Sequence, residues 1–162
     1  MQQIFIASDH AGFELKQELV SFLRGMGYDV KDFGAHEFNA DDDYPDFIAP
    51  LAREISQSAL RGEDVKGIIL GGSGQGEAIV ANRFPHVRAV VFNGQYAPTD
   101  GRQVPHEIIT SREHNDANIL SLGARFISSQ EARDAVEVWL ATKFSGEERH
   151  VRRIQKINDI TI

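Results

Sequence analysis

The 162-residue sequence contains no cysteine. Disulfides, thiolate metal centres and a thiol nucleophile are excluded, so chemistry must fall to carboxylates, imidazoles, hydroxyls or amides. There is no basic excess either: 17 Lys and Arg face 24 Asp and Glu, a formal net charge of −7. Binding nucleic acid needs a basic face, and none is indicated. A small anionic ligand stays compatible, because a local arginine cluster can outweigh the global sign. No apolar run approaches the ~20 residues of a membrane span, and the opening MQQIFIASDH lacks the regions of a signal peptide. The expectation is a soluble, cytoplasmic protein with no membrane partner. Internal repeats and low-complexity segments are also missing, and the length suits a single domain, residues 1–162, with a sizeable core.

What is present is organised around Val65 to Asn82, VKGIILGGSGQGEAIVAN. Gly67 to Leu70 reads as a buried parallel strand. Gly71, Gly72, Ser73, Gly74 and Gly76 then form a glycine turn, with Glu77 beside it and a helical pattern beyond. Strand, glycine turn and helix start together aim backbone N–H groups and a positive dipole end at one spot, which suits a phosphate or an oxyanion. A carboxylate at its lip suggests proton chemistry. The turn lacks the dinucleotide fingerprint and the P-loop Gly-Lys-Ser/Thr, so neither nucleotide motif is met. The plainer alternative is that the glycines only let the chain turn sharply.

Elsewhere, Ile4 to Ala7 is an apolar run ending in Ser8-Asp9-His10, followed by a helix carrying Phe13 to Leu23. Tyr28 to Phe33 is a second strand, making a βαβ unit with parallel neighbours. Asp41, Asp42 and Asp43 read as a solvated loop, with cation binding the less favoured reading. Phe47 to Leu60 is a helix and Ala89 to Phe92 a strand. Asn93 to Arg112 reads as an irregular excursion because of Gly94, Pro98, Gly101 and Pro105. Ile119 to Gly123 is a further strand, Ser128 and Glu131 form a capping box, and Glu147 to Ile160 is a basic helix. The expected fold is α/β: a Rossmann-like three-layer α/β/α sandwich on an about five-stranded, mostly parallel sheet. Residues after strands one and three then share one rim. Arg149 and Arg153, four apart, share a helix face and make a bidentate clamp for phosphate; a solvated basic face is the alternative.

The ordered set Ser-Asp-His-Ala-Gly-Phe (8–13), Asp-Tyr-Pro (43–45), Gly-Gly-Ser-Gly-Gln-Gly-Glu (71–77), Ala-Asn-Arg (81–83), Arg-Glu-His-Asn-Asp-Ala-Asn (112–118), Leu-Gly-Ala-Arg (122–125) and Arg-His-x-x-Arg (149–153) resembles the type B ribose-5-phosphate isomerases. That family includes the galactose-6-phosphate isomerase subunits, and the resemblance covers nearly the whole chain. It implies an aldose–ketose isomerase of a small phosphorylated sugar, acting through an enediol(ate) with neither metal nor cofactor. It also implies a homodimer with shared active sites, a tetramer being the variant, and a C-terminal helix (about 147–160) that reaches a partner subunit. One branch of the family has a Cys base where this chain has Gly71. The other has a Glu where it has Glu77, and this cysteine-free chain resembles the latter. By the same resemblance, Gly72, Ser73, Gly74 and Gly76 hold the enediolate oxygens with help from Asn115. His114 opens the ring, and Asp9 carries a proton or binds a hydroxyl. His10, Arg125, Arg149 and Arg153 bind phosphate, and Tyr44 lies near the substrate. The segment Thr99 to Thr110, TDGRQVPHEIIT, exceeds the common pattern and leaves the sugar open between ribose 5-phosphate and a hexose 6-phosphate such as allose or galactose 6-phosphate. A non-catalytic sugar-phosphate-binding domain is the alternative of a different class; it would need Arg149 and Arg153 but not Glu77 with His114.

Overall fold

The computed structural model describes residues 2–95, 98–101 and 106–160. Five strands form one all-parallel sheet: β1 (Gln3–Ser8), β2 (Asp29–Asp32), β3 (Lys66–Gly71), β4 (Ala89–Phe92) and β5 (Ile119–Gly123), in the order β2-β1-β3-β5-β4. Helices α1 (Phe13–Gly25), α2 (Pro45–Leu60), α3 (Gln75–Ala81), α4 (Glu107–Glu113), α5 (Ser129–Ala141) and α6 (Glu148–Asn158), with a 3-10 turn (His10–Gly12) between β1 and α1, complete the described elements. None is long and apolar enough to cross a membrane.

The strands read as unbroken apolar runs because both sheet faces are covered. Ile4, Ile6, Ile68, Leu70, Leu120 and Leu122 meet α1 and α5 through Leu15, Leu19, Ala132, Val136 and the buried Trp139. Phe5, Ala7, Ile69 and Ile119 face the other way, onto Ile48, Leu51 and Ile55 of α2 and Ala81 of α3. This is the expected three-layer sandwich. Winding reverses between β1 and β3, the switch point at whose carboxyl rim open α/β sheets hold ligands. The α5 capping box forms, Ser128 Oγ accepting from Glu131 N–H while the Glu131 carboxylate accepts from Ser128 N–H.

One element departs from the sequence reading. The stretch 93–112, expected to be irregular throughout, ends in α4, where Ile108, Ser111 and Arg112 turn inward. Residues 102–105 of the supernumerary segment lie outside the described residues, as do 96 and 97.

Candidate active site

Asp9 follows β1 directly and is 6% exposed. Its Oδ1 accepts from the N–H groups of Ala11 and Gly12 at 2.9 and 3.2 Å, capping the 3-10 turn that leads into α1. After β3 the chain turns through Gly74, whose φ of +73° puts it in the left-handed region where only glycine is unstrained. Two side chains pin the turn, one just past β4 and one within β5. Asn93 Nδ2 donates to Ser73 O at 2.8 Å, and Ser121 Oγ donates to Gly74 O at 2.7 Å. Gln75 N–H donates to Ser73 Oγ at 3.3 Å.

Glu77 lies in the first turn of α3, yet is 4% exposed. Its carboxylate folds back over Gly71: a Cβ placed on Gly71 would lie 1.8 Å from Glu77 Oε1. The carboxylate thus fills the space that any side chain at 71 would need. Burial pushes the Glu77 carboxyl above its ordinary value, and the negative charge of Asp9 adds to the effect. A hydrogen bond from its own backbone N–H pulls the other way but does not win.

The sheet brings further groups to this rim. The Arg125 guanidinium, just past β5, rests on Gly72, and the Tyr44 ring and hydroxyl rest on Gly76. His10 stands beside Asp9 and pairs through Nδ1 with Asp42 Oδ1 at 2.7 Å. Asp9, His10 and Asp42 each place a ligand-type atom within 4.8 Å of the others, a spacing that would suit a metal ion. Both Oδ1 atoms already accept N–H donors, Asp42 Oδ1 from His10 and Asp9 Oδ1 from Ala11.

His114 and Asn115 are not brought to this rim. They precede β5, and in a parallel sheet residues before a strand lie at the amino end. Gly67 pairs with Ile119 and Gly71 with Gly123, so roughly 13 Å of strand separates the two ends at ~3.3 Å per residue. His114 stacks on His150 of α6, ring centroids 4.3 Å apart and 14° from parallel. His150 is 4% exposed, and burial, with the neighbouring His114 and Arg149, pushes its imidazole below the ordinary value. Arg149, bridged to Glu147 at 2.9 Å, and the exposed Arg153 flank it on the same helix. Arg88 and Arg112 both grip Asp116, at 3.0 and 2.7 Å, and so hold the 114–116 turn. The predicted residues therefore fall into two groups: Asp9, His10, Tyr44, Gly72, Ser73, Gly74, Gly76, Glu77 and Arg125 at the carboxyl rim, and His114, Asn115, Arg149 and Arg153 at the opposite end.

Sequence reasoning gave no site role to Asn93, to His150 although it lies within the Arg-His-x-x-Arg motif, or to Asp42, which was read with its neighbours as a solvated loop. Asn93 had a readable signal, since it follows β4 directly and so ends at the ligand rim. Asp42 and His150 had none, because their partners are remote in the chain.

The sequence profile of the Ribose/Galactose Isomerase family matches residues 4–157. Ribose-5-phosphate isomerase B of Mycolicibacterium paratuberculosis is 38% identical over 154 residues, 94% of this chain and 87% of that one. The Escherichia coli protein of the same name is 34% identical, covering 99% of this chain and 97% of the relative. Among solved structures, ribose-5-phosphate isomerase B from Mycoplasma genitalium with bound ribulose-5-phosphate superposes with a TM-score of 0.84 at 33% identity, over 96% of this chain and 93% of that one. The Clostridium thermocellum ribose-5-phosphate isomerase B gives 0.80 at 40% identity, over 98% and 96%. A shared profile, fold and identity over nearly the whole length make this chain a member of the ribose/galactose isomerase family.

Proposed function

We propose that this protein interconverts an aldose phosphate and its ketose, with ribose 5-phosphate and ribulose 5-phosphate as the pair, and that Glu77 is the base. The observation that carries the reading is the buried Glu77 carboxylate over Gly71, beside Asp9 and the pinned glycine turn, in a chain of this family. Isomerisation moves a proton from C2 to C1 and another from O2 to O1. A base of raised pKa can take the C2 proton and return it to C1, while N–H donors of the 72–77 turn hold the oxygen that gains charge. Asp9 moves the hydroxyl proton. Arg125, Tyr44 and His10 bind the rest of the sugar phosphate.

His114 as ring opener, Asn115, and the phosphate ligands Arg149 and Arg153 then come from a second copy, because one chain holds them at the far end of its sheet. Val151 and Ile157 are about half exposed on α6 beside these arginines, which suits a helix that packs on a partner. The protein is read as a homodimer with two shared sites, one domain per chain, working in the cytoplasm without metal or cofactor.

The test is turnover of ribose 5-phosphate by purified, EDTA-treated protein, alongside allose and galactose 6-phosphates and the Glu77→Gln variant. Turnover that the variant lacks supports the reading, and the panel ranks the sugars. Sugar-phosphate binding without turnover of any of them would favour a binding domain instead.

A further inference from the structure

We propose that Asp42 is a positioning residue for His10, fixing the tautomer and orientation of its ring so that Nε2 is presented to the substrate phosphate. The role given to His10 rests on the isomerase reading above; the placement of Asp42 does not.

The three consecutive aspartates are not alike. Asp41 and Asp43 are exposed, as a solvated loop would have them. The Asp42 side chain is 7% exposed and lies against a residue 32 positions away. Its Oδ1 accepts from the His10 backbone N–H at 3.0 Å and pairs with His10 Nδ1 at 2.7 Å. One oxygen thus holds both the main chain and the ring of the same histidine. Phe38, from the same loop, meets the His10 ring edge-on at 6.4 Å and the Phe13 ring at 6.2 Å. Asp42 Oδ2 is buried without a hydrogen-bond partner among the described residues. Such an atom is costly in a loop that serves no purpose.

The chemistry follows from the imidazole. A ring whose Nδ1 faces a carboxylate keeps its proton there, so Nε2 is the free position, and partners of this kind set ring direction. A phosphate monoester dianion offers only acceptor oxygens, so Nε2 binds it as an N–H: Nδ1–H stays on Asp42, the ring takes its second proton with the phosphate, and the Nε2–H is aimed from one fixed place. Without Asp42 the ring is free to turn and to carry its proton on Nε2 or Nδ1.

The test reads the ring first and the kinetics second. In substrate-free protein, long-range ¹H–¹⁵N correlation at a pH where His10 is neutral should show the Nδ1–H tautomer, and Asp42→Ala should lose it. Asp42→Asn, which keeps an acceptor oxygen, should retain it. With ribose 5-phosphate, Asp42→Ala should raise KM about 10-fold with kcat within about 3-fold, and Asp42→Asn should restore most of the loss. Adding His10→Ala to Asp42→Ala should cost little more, since the pair acts as one unit. Wild-type His10 in the Nε2–H form, or a tautomer unchanged in Asp42→Ala, overturns the proposal, and the wild-type spectrum decides even if the alanine variant does not fold. A tautomer change with unaltered KM overturns the link to phosphate. Because the spectra need no substrate, the placement of Asp42 is judged apart from the isomerase reading.

Discussion

Gly71 and Glu77 are two halves of one feature. The carboxylate occupies the space above a residue that has no side chain, and burial there raises its pKa. With Glu77 as the proposed base, Gly71→Ala, which places a methyl group on that carboxylate, should lower kcat at least about 100-fold. Gly71→Cys combined with Glu77→Ala removes the clash and offers a thiolate in the same volume, so it should recover measurable turnover. Turnover of Gly71→Ala within a few-fold of wild type would mean that the base works from elsewhere. Glu77→Gln should lower kcat by about 10²- to 10⁴-fold. The acid limb of kcat/KM in the wild type should report a group above the ordinary 4.5, since the base must be ionised. Stability carries the opposite sign. Between 4.5 and the raised value the folded state holds a proton that the unfolded chain has lost, so stability falls as pH rises through that window. Ionised Glu77 is therefore a net cost at neutral pH. Glu77→Gln should melt above wild type at pH 7, with the gap closing as pH falls toward 4.5; thermal melts at several pH values check it.

At the scale of elements, α1 is fastened to the end of β2 by a buried charge. Lys16 is fully buried and donates to Asp32 Oδ1 and Oδ2 at 2.7 and 2.8 Å and to Ala35 O at 2.6 Å. Lys16→Ala strands the carboxylate and leaves a void, so urea unfolding should show a loss of about 3–5 kcal/mol. The ends of β1 and β3, and with them the meeting of Asp9 and Glu77, were legible because apolar runs closed by polar residues mark parallel strands, whose carboxyl ends share a rim. The insertion of β5 between β3 and β4 was not, because no local pattern records which strand a crossover will join. α4 was hidden by the glycines and prolines before it. The grip of Asp42 on His10 and the stacking of His114 on His150 were hidden too, being contacts between residues more than 30 positions apart.

For the whole molecule, the sheet's polarity matters most. Residues that read as one constellation along the sequence stand at opposite ends of the strands, so on the proposed function a single chain presents two incomplete halves. A two-fold pair can set the Glu77 half of one copy against the His114 half of the other, and symmetry makes the site twice. The most direct measurement is complementation. Glu77→Gln and His114→Asn chains, each nearly inactive alone, are co-expressed with different tags, and the mixed assembly is isolated through both. A two-fold dimer then holds one site with both wild-type residues and one with neither, so turnover of ribose 5-phosphate should return to about half that of the wild-type dimer. A doubly tagged assembly that stays at the parental background would contradict a site built from two chains.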